Sequence, residues 1–228
     1  MFTNITYTIV IFSYLILPLY FILSKARLKD KLMVLLALYG ILFFALLFIY
    51  RSFESHIPNN YFQGIYTLLE YSFFSYIFWV NTHNKPFKKL IIVVSLLFSL
   101  YQFFYITSVK FERLDSISIG IETILVFIYI FYFFYEFSKN TKDVFIYNHY
   151  GFWLAVGIMI YLGGSFFFYI LINSLDENEV DKFGTMTYVA EIIKNLLFAF
   201  SIYIYKKHPL KQTRNHSKKI PNLDMNLI

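Results

Sequence analysis

FGTMTYVAEIIKNLLFAFSIYIY, Phe183 to Tyr205, is the stretch whose reading decides the fold. It is long enough to cross a bilayer, for which about 20 apolar residues suffice at a rise of 1.5 Å each. Near its middle stand Glu191, Lys194 and Asn195. Ionisable groups at that depth cost about 2.5–3.5 kcal/mol apiece on insertion scales. Helical spacing puts these three on one stripe, because residues three and four apart are neighbours on a helix surface. A polar stripe on a spanning helix belongs inside a bundle, away from lipid. The remaining segments therefore read as the helices that surround it.

Composition agrees. The chain of 228 residues is 58% apolar and only 15% charged, against about 45–50% and 25% in a soluble domain. Phe and Tyr, at 29 and 21 copies, take much of the space that Leu and Val usually fill. Cysteine is absent, so the chain has no disulfide framework, thiol nucleophile or thiolate metal site. The net charge of +6 sits beside hydrophobic spans. That placement marks membrane orientation, and no nucleic-acid partner is expected.

Working outward, seven spans are predicted: residues 5–23, 32–50, 61–81, 90–107, 117–137, 152–172 and 183–205. The first is interrupted by Pro18; its flanks lack the positive segment and cleavage site of a signal peptide. Pro58-Asn59-Asn60 reads as a turn. Basic residues alternate in side. Fifteen of the 20 Lys and Arg fall in the connections after spans one, three and five and after span seven. Arg51, Lys110, Arg113 and Lys182 fall on the opposite side. This asymmetry places the amino terminus outside and the carboxyl terminus in the cytoplasm. The expected fold is all-α: a polytopic seven-transmembrane-helix bundle of the bacterial inner (plasma) membrane over 1–207, with a basic, disordered cytoplasmic tail over 208–228.

Four polar positions then share a depth. Glu70 in span three, Glu122 in span five, and Glu191 and Lys194 in span seven all fall in the outer half or near the midplane, and Gln102 in span four is compatible. One reading is structural: Glu191 pairs with Lys194 along its own helix, and Asn195 bonds across to a neighbour, as polar residues often do between spans. The other is functional, because intramembrane ionisable groups mark sites by default. On that reading Glu70, Gln102, Glu122, Glu191, Lys194 and Asn195 surround one polar cavity that takes a small ligand or a proton. Three carboxylates against one lysine leave an excess of negative charge.

Other candidates carry less. The histidines, His56, His83, His149, His208 and His216, fall in connections or the tail without H-x-x-x-H spacing, so no metal site is expected. No cofactor is expected either. Gly163-Gly164-Ser165 and the pair Gly151 and Ala155 read as close helix packing. Trp79 and Trp153 read as interface anchors, and the acidic run 176–181 as a solvated turn. Lys206, Lys207, Lys211, Arg214, Lys218 and Lys219 are a topology anchor on anionic lipid or a docking segment for a cytoplasmic partner. Any output domain is expected in another chain.

The order of spans, FWLAVGIMIYLGGSFFFYIL (152–171) and IIKNLLFAFSIYIY (192–205) before a basic segment together resemble the bacterial seven-helix sensory modules at the amino terminus of some membrane histidine kinases. The resemblance implies a sensor or signalling accessory protein, more a binding protein than an enzyme. The alternative is a small-solute transporter or an intramembrane enzyme using the same cluster. A lysine midway along span seven is shared with retinal-binding rhodopsins. However, both tryptophans lie away from Lys194 and span three carries no aspartate.

Overall fold

The computed structural model describes residues 2–23, 31–53, 58–108, 116–140 and 145–207. Among them every regular element is helical: α1 (Phe2–Ser13), α2 (Ile16–Leu23), α3 (Lys31–Phe53), α4 (Asn59–Asn81), α5 (Lys85–Ser108), α6 (Ser116–Asn140), α7 (Tyr150–Leu171) and α8 (Glu177–Lys207), with short 3-10 turns before and after α7. The basic positions Lys25, Arg27 and Lys29, the 110–113 connection and the tail from 208 lie outside the described residues.

Six segments are long and apolar enough to cross a membrane: Ile5–Leu23, Lys31–Phe53, Lys85–Ser108, Ser116–Lys139, Tyr150–Leu171 and Glu179–Lys207. By length and composition this is a multi-pass membrane protein. The helix α4 matches them in length, at 23 residues, but not in composition. Four of its polar side chains are turned inward: Thr67, Glu70, Ser75 and Asn81 are buried.

The span at 5–23 is not one helix. Pro18 has no N–H to give the carbonyl four residues back, which belongs to Tyr14, so the ladder fails there. The Tyr14 carbonyl instead accepts a tighter turn from the Leu17 N–H at 3.3 Å. The break between α1 and α2 is tolerated because α3 presents Gly40 to it. A Cβ on Gly40 would lie 2.5 Å from the Tyr14 carbonyl oxygen and 2.8 Å from the Pro18 ring.

Helix packing forms a closed ring. The helix α8 lies along α7 on one side and along α1 and α2 on the other; α6 joins α7 to α4, and α3 joins α4 back to α1 and α2. Small residues set the tightest of these seams: Gly157 of α7 faces the Lys194 carbonyl, and Gly164 faces the Ala190 Cβ at 3.3 Å. The packing expected of Gly163-Gly164-Ser165 is therefore supplied by Gly164, with Ser165 buried and bonded to the Tyr161 carbonyl at 2.6 Å.

Helix α5 packs on α4 outside the ring. Only 17% of its apolar window is buried, against 28–50% in the other five spans. Its Val93, Leu96, Leu97, Leu100, Phe103 and Phe104 are 55–67% exposed, a surface suited to lipid and rare on a soluble monomer. The α4–α5 turn is held from α6. Glu136 accepts the Asn84 N–H at 2.7 Å and the His83 N–H at 3.0 Å, placing a carboxylate at the positive end of α5.

Candidate functional site

The site begins with a spacing on α4. Gln63, Tyr66, Thr67 and Glu70 fall at i, i+3, i+4 and i+7, the positions that share one helical face. All four line a cavity of about 420 Å³. Its other walls come from α1 (Tyr7, Val10), α3 (Leu47, Tyr50, Arg51), α6 (Ile119, Glu122), α7 (Tyr161, Leu162, Tyr169) and α8 (Tyr188, Glu191). Apart from α1, these contributions come from the first halves of α4, α6 and α8 and the second halves of α3 and α7, so the cavity occupies one half of the bundle. Only the ring helices contribute.

Lys194 lies just beneath. It is fully buried, and its Nζ donates to Glu70 Oε1 at 3.0 Å and to the Tyr14 hydroxyl at 3.3 Å. The ammonium sits over the Tyr161 ring, 3.9 Å from its centroid, with the Tyr14, Tyr39 and Phe74 rings between 5.4 and 5.7 Å away. Tyr161 donates its hydroxyl to Glu70 Oε2 at 3.0 Å. Burial of both charges is thus offset by an ion pair, by hydrogen bonds to each carboxylate oxygen and by an aromatic surround.

This corrects the pairing expected along α8. Glu191, three residues from Lys194, is not its salt-bridge partner; Glu70 of α4 is. Glu191 is served by phenols: Tyr66 donates to its Oε1 at 3.1 Å, and Tyr14 donates to the same oxygen. The Tyr14 hydroxyl therefore bridges Lys194 and Glu191, accepting from the ammonium and donating to the carboxylate. Tyr14 stands at the α1–α2 break, so the break and the charge cluster are mechanically one unit.

Of the six residues singled out from sequence, Glu70, Glu122 and Glu191 line the same cavity and Lys194 is bonded to its floor. The other two stand outside the lining. Gln102 donates to the Gly64 carbonyl at 3.4 Å, between α5 and α4. Asn195 donates to Ser13 Oγ at 2.7 Å, and Ser13 donates to the Val10 carbonyl, which ties α8 to the last turn of α1. Tyr14, Tyr66 and Tyr161 were not foreseen. The periodic signal that could have found Tyr66 is the α4 face described above; Tyr14 could have been found from its place four residues before Pro18.

At the opposite end, His149 caps α7, its Nδ1 accepting from the Gly151 N–H at 3.1 Å. Burial, with a smaller contribution from His83, holds its imidazole down to about 4. It is a neutral structural cap. Trp153 bonds the Tyr147 carbonyl at 2.8 Å, and Lys88 lies 4.9 Å over the Trp79 ring. Among the described residues no group of three His, Asp or Glu is placed to hold a metal ion. No family model, curated protein or solved structure matches the chain.

Proposed function

We propose that the chain is a seven-helix membrane sensor, with α4 as the seventh span, the amino terminus outside and the carboxyl terminus in the cytoplasm of a bacterial cell. A small ligand or proton enters the cavity from outside and changes the bonds that Glu70 and Glu191 make to α8 and to the α1–α2 break. The helix α8, at 31 residues, carries that change to Lys206, Lys207 and the basic tail, where a cytoplasmic partner reads it. The observation that carries this reading is the Glu70–Lys194–Tyr14–Glu191 chain of bonds, which joins the cavity to the longest helix. A ligand can shift such an equilibrium only by its different affinity for the two states.

Transport is the second reading, and the discontinuous α1–α2 span favours it, since transporter sites are often built on broken helices. A single measurement separates the two. The cysteine-free sequence lets Tyr203→Cys, exposed near the end of α8, carry a fluorescent label in liposomes. Acidifying the outside should change the label signal without acidifying the lumen, and Glu191→Gln should abolish the response. Lumenal acidification above that of empty liposomes would establish transport instead. A silent label would overturn sensing of protons.

Topology has its own test. Reporter fusions after Asn81 and Lys207 should read as cytoplasmic, and fusions after Pro58 and Glu179 as external. A cytoplasmic reading at Glu179 would overturn the seven-span orientation.

A further inference from the structure

We propose that the cavity binds a small neutral ring compound through a hydroxyl group that donates to Glu191. This rests on the reading of the cavity as a ligand site and adds the chemical class of the ligand. The protein itself shows how this wall satisfies a carboxylate. Lys194 stands three residues from Glu191 on the same helix, yet it pairs with Glu70 of α4. Glu191 takes hydroxyls instead, from Tyr66 at 3.1 Å and from Tyr14. Hydrogen bonds to a charged acceptor are stronger than those between neutral groups, so a further hydroxyl continues a pattern the wall already uses.

What this wall still offers a ligand has one polarity. A phenol carries a single O–H. Tyr66 commits its proton to Glu191, and Tyr161 commits its proton to Glu70 Oε2 at 3.0 Å. Toward a ligand both phenol oxygens can therefore only accept. Both phenols that reach Glu191 donate to Oε1, so Oε2 is the oxygen neither takes. Tyr66, Tyr161 and Glu191 all line the cavity, and a wall of acceptors selects a ligand that donates.

An anion brings acceptors to that wall and finds acceptors there. A cation meets Arg51, which lines the cavity and is exposed at the end of α3. Arg51 is held there by Thr8 Oγ1 at 2.6 Å and by the Tyr7 ring at 5.5 Å. A neutral donor escapes both penalties. Beside the acceptors the lining is apolar, with Val10 of α1, Leu47 of α3, Ile119 of α6 and Leu162 of α7. One ring with one hydroxyl suits that combination, whereas a sugar would turn several hydroxyls against carbon. The volume, about 420 Å³, is at the small end of the range for ligand pockets, roughly 300–1,000 Å³, which suits a single ring.

The test is calorimetric titration of the protein in lipid nanodiscs at neutral pH, with empty nanodiscs subtracted. Three probes of one shape differ only in the group beside the ring: 1-phenylethanol donates and accepts, acetophenone only accepts, and 1-phenylethylammonium donates and is charged. The alcohol should bind about tenfold more tightly than the ketone, the equivalent of 1.4 kcal/mol, and more tightly than the ammonium. Glu191→Gln tests where the hydroxyl is read. The amide oxygen keeps the two phenol donors, and its NH2 group then turns a donor to the ligand. The ketone should therefore gain and the preference for the alcohol should disappear. If the ketone or the ammonium binds the native protein as well as the alcohol, the cavity remains a ligand site and the neutral hydroxyl class is overturned. If Glu191→Gln keeps the alcohol preference, Glu191 is not the acceptor and the proposal falls. If none of the three probes binds, the small-ligand reading falls with it.

Discussion

Lys194→Met should lower the thermal stability of the detergent-solubilised protein more than any other single change in the spans, by about 3–5 kcal/mol, because it leaves a buried carboxylate without its counter-charge. The double change Glu70→Gln with Lys194→Met should recover most of that loss, since replacing both members of a buried pair by neutral groups of similar shape can be nearly neutral. The structure names which double rescues. Lys194 Nζ is 3.0 Å from Glu70 Oε1, whereas Glu191 is held by the Tyr14 and Tyr66 hydroxyls. Adding Glu191→Gln to Lys194→Met should therefore rescue little. Phenol donors also suit a neutral amide oxygen, so Glu191→Gln alone should cost less than Glu70→Gln alone. Melts of the two singles and two doubles decide the matter. Equal rescue by both doubles would mean that the charges act as a diffuse cluster, and rescue by Glu191→Gln only would restore the pairing along α8.

That difference shows what the sequence could and could not reveal. Helical periodicity placed Glu191, Lys194 and Asn195 on one stripe, and the cost of charge in lipid turned the stripe inward; both arguments are local to one helix, and both hold in the buried state of all three residues. Depth counting then brought Glu70, Glu122 and Glu191 to one level, and they line one cavity. Partner choice is a different kind of quantity. It depends on the rotation of α4 against α8, which is set by side-chain packing across the whole ring and leaves no trace in either segment alone. Gln102 shows the same limit. Its depth suited the cavity, but α5 packs outside the ring, so the amide meets the Gly64 carbonyl instead. Glu136 stands near the end of a span with nothing in the sequence to mark its role, and it accepts two backbone N–H groups of the α4–α5 turn. Pro18 announced an interruption in the first span. What it could not announce was that Tyr14, whose carbonyl the proline leaves without its helical donor, would carry the hydroxyl that links Lys194 to Glu191.

Because the break and the charge cluster meet at Tyr14, a change that never touches a charge should disable both. Gly40→Ala places a Cβ 2.5 Å from the Tyr14 carbonyl oxygen, 2.8 Å from Pro18 Cδ and 3.0 Å from Leu17 Cβ. The first of these is backbone and the second a ring fixed to backbone, so neither can swing aside as a flexible side chain would. Relief requires α3 to move away from the α1–α2 break, and overpacking of this kind costs about 1–3 kcal/mol. The matched control is Gly120→Ala on α6, where the new Cβ meets nothing within 4 Å. There the lower backbone entropy of alanine in the unfolded chain should raise stability by about 0.4–1 kcal/mol. The two alanines should therefore shift the melt in opposite directions. Displacing the break also moves the Tyr14 hydroxyl from Lys194 and Glu191, so Gly40→Ala should blunt the response of a label at Tyr203→Cys to outside acidification, while Gly120→Ala preserves it. If Gly40→Ala melts like Gly120→Ala and keeps the label response, the close approach of α3 to the break is not what holds Tyr14 in place.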